Sequence, residues 1–237
     1  MSSIFSQDGI LVLARVLGLL FAIPIHEVSH AWVSDKLGDP TARIAGRLTL
    51  NPIKHFDPLG LLSMLIIGVG WAKPVRVDPR YYRNRKFGMA LTAAAGPLSN
   101  LILAFLTMLI FKLFGYGFLS YFYSAGVATL PGWYDFISRL LWYFALINVS
   151  LALFNLLPVP PLDGSRIFGV ILPDRLYDGL QRIERYIMFA LLAAIVVLPR
   201  LTGFDPIGWL LGDAVGAVLN ALDVMTGFIA PLFGFSA

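Results

Sequence analysis

The chain contains no cysteine, so a disulfide framework, a thiolate metal site and a thiol nucleophile are all excluded, and the redox compartment stays open. Charge is also scarce. Only 14% of the 237 residues are Asp, Glu, Lys or Arg, where a soluble domain carries about a quarter. Internal repeats and low-complexity linkers are missing. A basic N-terminal stretch followed by a small-residue cleavage site is missing too, so no removable signal peptide is expected. What fills the sequence instead is apolar: 58% hydrophobic residues and a mean hydropathy of +0.77. Too little polar side chain remains to cover a water-facing surface, which points to a bilayer as the solvent. The net charge of +4 then reads as basic loops that fix membrane topology rather than as a nucleic-acid surface.

A helix needs about 20 apolar residues to cross a hydrocarbon core about 30 Å thick. Residues 10–33, 88–111, 133–157, 186–198 and 206–235 are the candidate spans, and 59–69 is short enough to read as a re-entrant segment. The expected fold class is an all-α polytopic membrane protein of four to five transmembrane helices. Between the first two spans, RIAGRLTLNP and WAKPVRVDP alternate apolar and polar residues and are punctuated by Gly and Pro. They are expected to form short paired strands, a small β insertion on the cytoplasmic side. The chain is thus read as one membrane-embedded domain, 1–237, with a β and re-entrant insertion at 42–87.

Positive charge orients the spans. Segments 34–57, 73–87 and 158–185 hold most of the Lys and Arg, whereas 112–132 has only Lys112 and the loop near 200 only Arg200. The basic segments are expected in the cytoplasm and the N-terminus outside. This places the ends of the first and third spans at one membrane face.

At the end of the first span lies His26-Glu27-Val28-Ser29-His30. Positions four apart share a helix face, so both imidazoles reach one metal ion, and the glutamate between them is placed to take a proton from water there. Ionisable side chains inside an apolar span are costly and mark function by default. Two of the three histidines in the chain lie in this motif. A hydrolytic zinc takes three protein ligands and leaves one position open. His55 and Asp163 are the candidates for the third. Asp163 follows Pro158, Pro160 and Pro161, which must break the third span, and irregular backbone at membrane depth is tolerated where it is buried or lines a polar cavity.

These residues resemble those of the site-2 protease family of intramembrane metalloproteases. HEVSH is similar to its HExxH, and NLLPVPPLDG to its NxxPxPPLDG signature. NPIKHFDPLG, GWAKPVRVDP and AGPLSN resemble further segments of compact prokaryotic members, in family order. The resemblance implies that Zn2+ is held by His26, His30 and Asp163, that Glu27 is the catalytic base, and that Asn155 assists at the scissile carbonyl. Asn100 and His55 are carried as candidate substrate-binding residues, His55 as a loop or cavity-rim residue. The implied substrate is the transmembrane segment of another membrane protein, cleaved near the cytoplasmic face of a prokaryotic cell membrane. The PDZ and CBS domains of larger relatives are not expected here, and neither is a helix ahead of the catalytic one. An unwound substrate is expected to add as a strand to 44–50 or 71–77. The competing readings are a zinc-binding transporter or channel, and an inactive scaffold that binds membrane segments.

Overall fold

The computed structural model describes residues 9, 12–13, 16–60, 62, 72–126 and 129–235. Its helices are α1 (Ile23–Lys36, entered through a π-helical turn at Gly18–Ala22), α2 (Thr41–Ile44), α3 (Pro52–His55), α4 (Arg85–Ser124) and α5 (Gly132–Asn155). They are followed by α6 (Asp163–Phe168), α7 (Asp174–Thr202) and α8 (Pro206–Met225), with a 3-10 stretch at Gly227–Phe233. Four of these segments are long and apolar enough to cross a membrane: Arg85–Ser124, Gly132–Asn155, Asp174–Thr202 and Pro206–Phe233. Part of the first expected span, most of the re-entrant segment at 59–69, and Trp71 lie outside the described residues.

α4 is longer than hydropathy alone indicates. At 1.5 Å per residue its 40 residues run to about 60 Å, twice a bilayer core. The apolar run ends at Lys112, but no proline follows it within the helix, so the helix continues through Ser124. By contrast α5 ends at Asn155, three residues ahead of Pro158, as the proline cluster requires.

The chain divides into two compact units, and α4, α5 and α8 each contribute to both. The first comprises residues up to Ala22, Asn100–Ser150 and Ala214 onward. Its buried cation is paired internally. The Lys112 ammonium, nearly buried, sits 2.9 Å from Asp223 Oδ1 and donates to the Asp223 carbonyl at 2.8 Å. Such pairing is what lets a cation stay in an apolar bundle. Rings of Phe114, Phe118, Phe122, Trp133 and Tyr134 pack edge-on or stacked, and the Tyr134 hydroxyl donates to the Gly115 carbonyl.

The second unit, Ile23–Ser99 with Leu151–Asp213, carries the connecting segments between α1 and α4. Here the expected β insertion is not formed. Among the described residues there is no sheet, only an isolated antiparallel bridge between Phe56 and Ala72, with the Lys73 amide donating to the His55 carbonyl at 2.8 Å. Residues 41–55 instead make two helical turns. Gly46 has φ +64°, which ends the first turn, and Asn51 caps the second by accepting from the Ile53 amide. Residues 73–78 form no ladder because their donors are committed elsewhere: Pro74 has none, Val75 N–H goes to Glu27, and Asp78 N–H goes to Asp39.

Candidate metal centre

α1 presents His26 and His30 one turn apart, with ring centroids 4.5 Å apart and planes nearly perpendicular. The His30 Nδ1–H donates to the Thr92 carbonyl on α4 at 2.7 Å. A carbonyl only accepts, so this bond fixes the tautomer and leaves the Nε2 lone pair free to ligate. Asp163 opens α6, just after the proline-broken stretch in which the Pro160–Pro161 peptide is cis. Its Oδ2 lies 3.2 Å from His26 Nε2 and 3.4 Å from His30 Nε2. That oxygen is buried and has no hydrogen-bond partner. One ligand atom from each of His26, His30 and Asp163 falls within 4.8 Å of the others. Two imidazoles and a carboxylate converging around an orphaned oxygen fit a zinc ion of the open, hydrolytic kind.

Two glycines keep this cluster possible. A Cβ at Gly96, in the AGPLSN segment of α4, would press on His30 Nε2 and lie 2.6 Å from His26 Cε1. At Gly164 it would collide with the carbonyl oxygens of Leu156 and Leu157. The close packing of α4 on the histidines, and the tight turn that swings Asp163 inward, therefore both demand hydrogen in place of a side chain.

Glu27 lies beside the histidines with its Oε2 accepting the Val75 amide at 2.8 Å. Asn155, the last residue of α5, lines the same cavity of about 290 Å³, and its side-chain Nδ2 donates to the Leu151 carbonyl. Pro74, Val77, Met89, Thr92 and Arg166 supply other walls. Arg166 is anchored by Glu184 of α7 at 2.7 Å, and Lys86 holds the α7 N-terminus through the Leu172 carbonyl and Asp174.

Two sequence candidates fall elsewhere. His55 is fully buried, its Nε2 donating to the Thr49 carbonyl at 2.7 Å, and so it supports the 49–55 turn rather than a cavity rim. Asn100 is fully buried in the first unit, donating to Asn148 Oδ1 at 3.0 Å and to the Ala22 carbonyl at 3.3 Å. That carbonyl belongs to the π-helical turn before α1. Sequence reasoning passed over Val75 and Asp39. The first acts through its backbone alone, and the second stands in a Gly-Asp-Pro tripeptide that reads as an ordinary turn.

A polytopic helical protein with a two-histidine, one-aspartate cluster and an adjoining glutamate has the makings of a membrane metallohydrolase. The chain matches Peptidase family M50 over residues 14–198, and it belongs to that family. It is 39% identical over 171 residues to "Putative zinc metalloprotease YwhC" of Bacillus subtilis, covering 72% of this chain and 74% of that one. It is 30% identical over 174 residues to "Putative zinc metalloprotease Rip2" of Mycolicibacterium smegmatis, covering 71% of this chain and 59% of the relative. With the Mycobacterium tuberculosis H37Rv protein of the same name it shares 27% over 214 residues, 85% of this chain and 74% of the other. No solved structure matches the chain.

Proposed function

We propose that this chain is a zinc-dependent intramembrane protease that uses His26, His30 and Asp163 as metal ligands and Glu27 as proton carrier. The observation that carries the reading is the buried Asp163 oxygen facing both Nε2 atoms, with Glu27 on the same helix turn. His26, His30 and Asp163 would hold the zinc ion, which would supply Lewis acidity for polarising the substrate carbonyl and lowering the pKa of water. Glu27 takes the proton from that water and returns it to the leaving amine. The Val75 amide keeps the carboxylate turned toward the cavity while it does so. Asn155 lines the cavity and is the donor for the carbonyl oxygen as negative charge builds on it.

The substrate is an apolar, membrane-anchored segment, because the family is a peptidase family and four helices among the described residues suit a bilayer. The Lys- and Arg-rich segments 34–57, 73–87 and 158–185 adjoin the motif residues, so the cleavage centre faces the cytoplasmic side of the cell membrane. The test is cleavage of a single-span substrate in proteoliposomes, with products mapped by mass spectrometry. The expected cut falls within or beside the apolar segment, and Asn155→Ala lowers kcat about 10²-fold while KM holds. Zinc accumulation inside the vesicles without any product would overturn the reading in favour of transport.

A further inference from the structure

Asp39 is a fully buried acid that none of the chemistry above uses. It stands just past the C-terminus of α1, where Gly38, at φ +102°, turns the chain back and the Asp39 amide donates to the Ser34 carbonyl. Both carboxylate oxygens are engaged. Oδ1 accepts the Thr41 amide at 2.9 Å and the Thr41 hydroxyl. Oδ2 accepts the Ser34 hydroxyl at 2.8 Å and the Asp78 amide at 2.7 Å. Burial pushes the Asp39 carboxyl up, but the bonds from Thr41, Asp78 and Ser34 together bring it below its ordinary value. Four donors on two oxygens require the ionised form.

Two hydrogen-bonded paths leave this carboxylate, and both end on the metal-site helix. Along the first, Asp39 fixes the Asp78 amide at the far end of the extended stretch whose Val75 amide, three residues earlier, donates to Glu27. Along the second, the Ser34 hydroxyl is 2.7 Å from the Tyr82 hydroxyl, which is 3.0 Å from Thr92 Oγ1, and the Thr92 carbonyl receives His30 Nδ1–H. Each hydroxyl has one proton. Ser34 directs its own at Asp39, so Tyr82 donates to Ser34 and Thr92 donates to Tyr82. The donors thus point one after another toward the same anion. A chain so ordered is polarised cooperatively, and it leaves Thr92 little freedom to shift its carbonyl from His30.

We infer that Asp39 is a positioning residue for the cleavage reaction, setting the Glu27 carboxylate through the Asp78–Val75 stretch and the His30 ring through Ser34, Tyr82 and Thr92. Without Asp39 the 73–78 stretch loses one end, since it belongs to no sheet and its Val75 amide contact is with Glu27 itself. A base that is still present but displaced by a fraction of an ångström is enough to slow the chemistry.

The inference rests on the protease reading, so wild-type cleavage in the proteoliposomes is the required control. Loss of that control defeats the reading, not this step. Asp39→Asn keeps the shape but offers only one accepting oxygen to four donors. Its expected kcat is about 10- to 100-fold below wild type, the effect of losing one hydrogen bond to a charged group, with KM unchanged and zinc retention weakened as in the second-path variants. Removing the Val75 donor with Val75→Pro should produce a similar fall. The decisive comparison is the double variant. If Asp39 acts through the Val75 amide, Asp39→Asn costs little more once that donor is gone. Ser34→Ala and Tyr82→Phe interrupt the second path only. They are expected to weaken zinc retention and leave the Val75 coupling intact. Additive losses in the double variant, or wild-type kcat in Asp39→Asn, would overturn the inference. If Asp39→Asn does not fold, Val75→Pro and Tyr82→Phe still decide it: wild-type kcat in the first together with wild-type zinc retention in the second would overturn it.

Discussion

Glu27→Gln is expected to keep its zinc and its KM while kcat falls by about 10²- to 10⁴-fold, the usual contribution of a positioned general base. Glutamine has the same shape, and its side-chain oxygen can still accept the Val75 amide that now bonds Glu27 at 2.8 Å. The ligand atoms of His26, His30 and Asp163 are untouched. What disappears is the ability to accept a proton from water and pass it to the leaving amine. Zinc content by elemental mass spectrometry and steady-state cleavage, measured on one preparation, check both halves. Turnover within a few-fold of wild type would remove Glu27 from the chemistry, and loss of zinc would make it a structural residue.

Asp163→Asn is expected to lose zinc affinity by more than about 100-fold, the upper figure for losing a mere outer-shell partner. The reason lies in the geometry. Asp163 Oδ2 sits 3.2 and 3.4 Å from the two imidazole nitrogens and has no hydrogen bond of its own. An amide brings no charge to balance a dication, and its nitrogen, if turned inward, would present protons to the metal. The backbone turn depends on Gly164 and the prolines, so the variant should fold. Competition with a chromogenic chelator measures the loss directly. Zinc held as tightly as by wild type would mean that the third ligand is another group.

Much of this site could be read from the sequence because its chemistry is local or punctuated. His26 and His30 are separated by a spacing that a helix converts into adjacency, and Asp163 is announced by three prolines that no helix survives. The four apolar helices follow from composition in the same way. What the sequence hid depends on partners far away in the chain. Alternation in residues 43–52 and 71–79 resembles strands, yet Glu27 and Asp39 take the donors of Val75 and Asp78 across 48 and 39 residues. The length of α4 was hidden by Lys112, whose partner Asp223 lies more than a hundred residues on. His55 looks like a loop residue until Thr49 is seen to fold back over it.

The central claim is that cleavage depends on a single metal ion held by this cluster. Wild-type protein stripped of metal and returned to proteoliposomes with a single-span substrate tests it most directly. Cleavage should be absent at first, return in proportion to added zinc, and saturate at one ion per chain. Full cleavage by the stripped protein would contradict the claim.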